Sequence, residues 1–90
     1  MIGSKLEEII KSKYGPMTCG ACKRRVRRLN TMTPSEVMAD IDNIAEQIYG
    51  SRKQIKSQLM KMMAEAMPQP MVIGIIKTHI KQAVEEHLNG

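Results

Sequence analysis

Ninety residues make a single domain with a thin core and exclude a second one. Hydrophobic residues form 42% of the chain but aromatic ones only 2%, so Ile, Leu, Val, Ala and nine adaptable methionines must fill the interior or line surfaces that re-pack around a partner. The net charge of +5 favours phosphates, acidic proteins or anionic lipid as partners, and no apolar run approaches the ~18 residues that would span a bilayer.

In chain order, Ser4-Lys5-Leu6-Glu7 reads as a capping box and predicts a first helix. Leu6, Ile9, Ile10 and the aliphatic stem of Lys13 cover one face, and Gly15-Pro16 stops it. Thr18 is the expected N-cap of a second helix, which places Cys19 in the first turn, where the helix dipole and the nearby Lys23 and Arg25 favour a thiolate. In that helix Cys19, Cys22, Val26 and Leu29 share a narrow stripe while Arg24, Arg27 and Arg28 point away from it; Asn30 and Thr31 close it with turn chemistry.

Thr33-Pro34-Ser35-Glu36 predicts the next start, a capping box with proline at the first helical position. Val37, Ile41, Ile44 and Ile48 give this third helix its apolar stripe, widened by Met38 and Ala45, with Asp40, Asp42 and Glu46 opposite and Tyr49-Gly50 at the end. Ser51-Arg52-Lys53-Gln54 opens a fourth helix whose buried stripe is Ile55, Leu59, Met62 and Ala66, and Met60, Met63 and Met67 form a second row beside it. Pro68-Gln69-Pro70 breaks the chain before a last helix. Its first residues, Met71 to Ile76, are apolar all round, and Ile80, Ala83, Val84 and His87 continue one face, with His79 on the flank. No segment alternates with period two. The expected fold is all-α, a compact bundle of about five short helices in one domain covering residues 1–90.

Three chemistries stay open at the cysteines. A single Cys-x-x-Cys is half of a tetrahedral site, so Cys19 and Cys22 could hold zinc or an iron–sulfur cluster completed by a second copy of the chain. The same pair at a helix start fits a thiol redox role, and it also fits small apolar residues packed on a buried stripe. His79 and His87, eight residues apart on one helix and so about 12 Å apart along its axis, cannot both reach one metal. There is no Ser/His/Asp set and no Gly-rich phosphate loop, so no enzyme is expected.

The basic face of Lys23, Arg24, Arg25, Arg27 and Arg28 suits nucleic-acid phosphates, and serves equally as a solvated surface. A further stretch, Ile44 to Leu59, resembles the helix-turn-helix of bacterial and phage repressors, with Ala45 at the helix crossing, Ser51 as N-cap, and Ile55 and Leu59 packing the second helix. That resemblance implies that Arg52, Lys53, Gln54, Lys56 and Ser57 face the major groove, although the same residues would also serve a plain helical hairpin. Residues 3–48, with Gly-Ser-x-Leu, a close cysteine pair followed by basic residues, Leu-Asn and an acidic amphipathic helix, are similar to small phage-borne and bacterial proteins of unassigned function. This implies a phage or mobile-element origin and supplies no activity.

Together these features lead to a small basic non-enzymatic nucleic-acid-binding module, regulatory or packaging in a phage or bacterial setting, whose expected partners are nucleic acid and a second copy of the chain. The other reading is a protein–protein adaptor or inhibitor with Met60, Met63, Met67, Val72 and Ile75 at its interface and a metal shared at Cys19 and Cys22. No basic region followed by a continuous apolar one opens the chain, so the expected location is the cytoplasm, that of a host or a virion if phage-encoded.

Overall fold

The computed structural model describes residues 1–14, 20–50 and 65–89. Five helices run through them: α1 (Ile2–Tyr14), α2 (Gly20–Asn30), α3 (Pro34–Ala39), α4 (Ile41–Gly50) and α5 (Gln69–Asn89). The all-α bundle expected from the sequence is the fold, and no strand occurs among the described residues. Residues 51–64 of the fourth expected helix lie outside them, as do Gly15-Pro16 and Thr18; its end, Glu65 and Ala66, is helical, and Ala66, expected on the buried stripe, is exposed because it stands next to the chain break at Pro68.

The 21 residues of α5 make a rod about 31 Å long, close to the 33 Å longest extent of the molecule. Both α1 and α4 pack along it, α3 bridges α4 and α5, and α2 packs on α1. A single core joins them. It takes Ile2, Leu6, Ile9 and Ile10 from α1, Leu29 from α2, Val37 from α3, Ile44, Ala45 and Ile48 from α4, and Val72, Ile76, Ile80, Ala83 and Val84 from α5. Burying a side chain of this size is worth roughly 1.5–3 kcal/mol, so the apolar stripes, more than helix propensity, hold these short helices in place.

Helix α1 corrects the expectation at Ser4. The helix begins two residues earlier, because Ile2, 2% exposed, belongs to the core, and the Lys5 N–H already donates to the Met1 carbonyl at 3.0 Å. Ser4 therefore lies inside the first turn, where its own N–H has no intrahelical acceptor. Asn30, the last residue of α2, supplies one: the Ser4 N–H donates to Asn30 Oδ1 at 3.0 Å, and Asn30 Nδ2 donates to Ser4 Oγ at 3.2 Å. Beside this exchange the two backbones approach closely at the buried Gly3. A Cβ there would run into the Val26 carbonyl oxygen and lie 2.8 Å from Asn30 Oδ1.

The connection from α2 to α3 follows the sequence reading. Thr31 donates from both its N–H and its Oγ1 to the Arg28 carbonyl, at 3.1 and 2.7 Å. The capping box is complete, with Glu36 N–H on Thr33 Oγ1 at 3.2 Å and Thr33 N–H on Glu36 Oε1 at 2.9 Å, and Pro34 follows the cap. These bonds to Thr33 hold the Glu36 carboxyl below the usual carboxylate range.

The expected third helix is two helices. Asp40 leaves helical geometry at φ −113°, ψ 16°, and its N–H is shared between the Glu36 and Val37 carbonyls at 3.2 Å each. The ladder resumes when the Ile44 N–H donates to the Asp40 carbonyl at 3.0 Å. Met38, expected to widen the stripe, is 41% exposed, and Ile41, just after the break, is only half-buried.

Helix α5 departs from expectation at both ends. Its apolar opening is buried on one face only, through Val72 and Ile76, while Met71 is 54% exposed and Gly74 faces solvent. The histidines exchange roles: His87, placed on the apolar face, is exposed, and His79, placed on the flank, is buried in the core at 6% exposure. The buried set of Val72, Ile76, His79, Ile80, Ala83 and Val84 is wide because α5 has packed neighbours in both α1 and α4. Burial, and secondarily the charge of Lys13, push the His79 imidazole below its ordinary pKa.

Two glycine substitutions are expected to act with opposite sign. Gly3→Ala should destabilise by about 1–3 kcal/mol because its methyl cannot be placed without parting α1 from α2. Gly74→Ala, with open space around it in mid-helix, should stabilise by about 0.5–1 kcal/mol. Urea unfolding of both variants checks the pair. At His79 the folded-state pKa lies below the unfolded value near 6.5, so the unfolded chain takes up its proton first. Its contribution is therefore whole above about pH 6.5 and is lost progressively below it. Thermal midpoints at pH 7.5 and 5 should show a fall that His79→Leu reduces.

Candidate nucleic-acid interface

Helix α2 carries five cations and no carboxylate in eleven residues. Lys23, Arg24, Arg27 and Arg28 are exposed, Arg25 and Val26 are half-buried, and Leu29 is buried. Such a helix repels itself and is too short to be stable alone. It is held by Leu29 in the core, by the Gly3–Val26 approach and by the Ser4–Asn30 exchange. All three lie on or near one side, so they fix the rotation of α2 about its own axis and turn the arginines outward. The basic face expected from the sequence is thus a positioned surface.

Its two flanks differ in charge. Toward α1, Lys23, Val26 and Arg27 share a hollow of about 230 Å³ with Glu7. Toward α4, Arg24, Arg25 and Arg28 line a recess of about 200 Å³ with Gln47, and among the described residues no carboxylate is in its walls. Partial burial, and then the neighbouring charge of Arg24, lower the pKa of the Arg25 guanidinium, though it stays charged at neutral pH. On α4 the carboxylate of Asp42 pairs with Lys77 of α5, which engages it on the side of that helix. Among the described residues neither Arg24 nor Arg28 is in an ion pair.

Gln47 is the residue that sequence reasoning did not single out. It sits on the polar side of α4 and gains meaning only when α2 is brought opposite it. Arg52, Lys53, Gln54 and Lys56 lie outside the described residues, as does Ser57. Of the stretch resembling a helix-turn-helix, the described part is helical through Tyr49 and Gly50, so the chain does not turn at those two residues. Ala45 and Ile48 are buried in the core.

Cys19 also lies outside the described residues; Cys22 falls in the first turn of α2, whose backbone alone is described there. Among the described residues no three His, Cys, Asp or Glu side chains gather as a metal site. Met60 and Met63 of the expected protein interface are outside as well. Met67 and Ile75 are half-buried, Met67 against the core, but Val72 is a correction: at 2% exposed it is engaged inside the bundle by α5 packing and is not available to a partner. No helix among the described residues is long and apolar enough to cross a membrane. No protein-family model matches the chain, and no curated protein and no solved structure matches it either.

Proposed function

We propose that this chain is a small, basic, non-enzymatic module that binds nucleic acid through the outward face of α2. The observation that carries the reading is the fixed rotation of that helix, which commits Lys23, Arg24, Arg27 and Arg28 to solvent while its other side is tied to α1. Over its eleven residues α2 is about 16 Å long, and a duplex carries one negative charge per about 1.7 Å of its axis. Several phosphates therefore meet the cationic face at once. Their condensed counterions are released on contact, which supplies affinity without base recognition. Base-edge contacts would have to come from elsewhere, and Arg52, Lys53, Gln54 and Lys56 are the residues of suitable chemistry. A regulatory or packaging role in a phage or bacterial setting is compatible with such a module.

Fluorescence anisotropy with a labelled duplex and a labelled single strand tests the reading. Binding should weaken steeply between 50 and 200 mM salt, by about 10²-fold if the four exposed cations each neutralise one phosphate. Arg24→Ala combined with Arg28→Ala should lower affinity and reduce the slope of log affinity against log salt by about two. Circular dichroism should show the fold retained, since both side chains are exposed. Salt-insensitive binding, or none to either strand form, overturns the proposal.

A further inference from the structure

We propose that the recess between α2 and α4, walled by Arg24, Arg25, Arg28 and Gln47, seats a phosphate monoester, so that a phosphorylated nucleic-acid end is the preferred ligand of the module. The inference rests on the nucleic-acid reading above and narrows it from a diffuse face to one seat.

Size is the first argument. At about 200 Å³ the recess is smaller than the ~300–1,000 Å³ typical of pockets for drug-sized molecules, and it suits a single tetrahedral anion with its water. Donor geometry is the second. Arg24 and Arg28 stand four residues apart on one ridge of α2, neighbours at about 5–6 Å, and each guanidinium can present a pair of N–H groups to one edge of the anion. Arg25 adds charge from a half-buried position, where water screens it less, and Gln47 brings an amide donor from a different helix.

Charge selectivity is the third. Other hollows of the surface contain carboxylates: Glu7 beside Lys23 and Arg27, and Glu8 with Glu86 beside Lys5 and Lys13. The described walls of the recess hold three cations and no carboxylate. A phosphodiester brings one negative charge to such a seat, whereas a phosphate monoester brings about −1.5 to −2 at neutral pH and three strong acceptor oxygens. The mutual repulsion of the arginines is relieved further by the monoester.

The test compares one single-stranded oligonucleotide with and without a 5′-phosphate, at constant ionic strength, on the full chain. The phosphorylated strand is expected to bind about tenfold tighter, the scale of one added charge-assisted hydrogen bond. Inorganic phosphate should compete away that advantage. Gln47→Leu, which removes a donor without changing charge, should erase the preference, so that the two strands bind with one affinity. Gln47→Glu should erase it too, by placing a carboxylate in the seat, and Arg27→Ala, outside the recess, should weaken both strands and keep the preference.

Equal binding of the two strands overturns the seat and leaves the basic-face reading standing. A preference that survives both Gln47 variants overturns the recess as its location. If neither strand binds but inorganic phosphate binds saturably and is lost in Gln47→Glu, the seat stands for a small phosphorylated molecule and the nucleic-acid reading falls. Absence of both kinds of binding overturns both proposals.

Discussion

The contact on which the cationic surface depends is the approach of α1 to α2 at Gly3, closed by the reciprocal hydrogen bonds of Ser4 and Asn30. An eleven-residue helix with five cations has little reason to form by itself: nucleation is costly, and neighbouring like charges disfavour it. Among the described side chains of α2 only Leu29 belongs to the fully buried core, and one apolar anchor cannot fix both position and rotation. The missing Cβ at Gly3 lets the two backbones meet, and the Asn30 side chain then satisfies a first-turn N–H of α1 that would otherwise have to face water. Each helix end completes the other. Because α1 is itself seated on α5, the orientation of the arginines is carried back through α1 to the longest helix of the bundle.

Charge in this protein acts on partners more than on stability. The ion pairs of the described residues, Lys5 with Glu8 on α1 and Lys77 with Asp42 across α4 and α5, involve exposed carboxylates, and such pairs are worth about 0–1 kcal/mol. Their effect is to distribute the field. Asp42 is engaged toward α5, and Glu7 lies among the cations on the α1 flank of α2, so the α4 flank retains three guanidinium groups in a recess whose described walls carry no carboxylate. The apolar core beneath, which joins all five helices, is what opposes the mutual repulsion of those charges.

The sequence was legible where a local rule had no tertiary competitor. Two segments carry the same S/T-x-x-E pattern, and only one behaves as a cap. At Thr33 the preceding residues form a turn and Pro34 occupies the first helical position, so the capping box closes as the pattern demands. At Ser4 the preceding Ile2 has a place in the core, and its burial draws the helix start upstream and leaves Ser4 to Asn30. The apolar stripes of α1 and α4 could be read from their period, whereas the break at Asp40 could not, because Val37, Ile41 and Ile44 keep helical spacing across it. The histidines were misplaced for a related reason. Periodicity gives the direction of a stripe, but its width depends on how many neighbours a helix has, and α5 has α1 and α4.

The same limit explains why three of the four residues of the recess were visible beforehand and the fourth was not. Five basic residues within one short stretch stand out in any reading of the chain, and their separation from Leu29 follows from the helical period. Gln47 has no such signal. It lies nineteen residues beyond Arg28, with a turn, α3 and the Asp40 break between them, and it reaches the arginines only because α1 and α5 hold α2 and α4 on facing sides of an open recess. A cationic face needs one helix and can be inferred from one. A seat that distinguishes one phosphate from another needs walls from two, and the distance between those walls is set by the core beneath them.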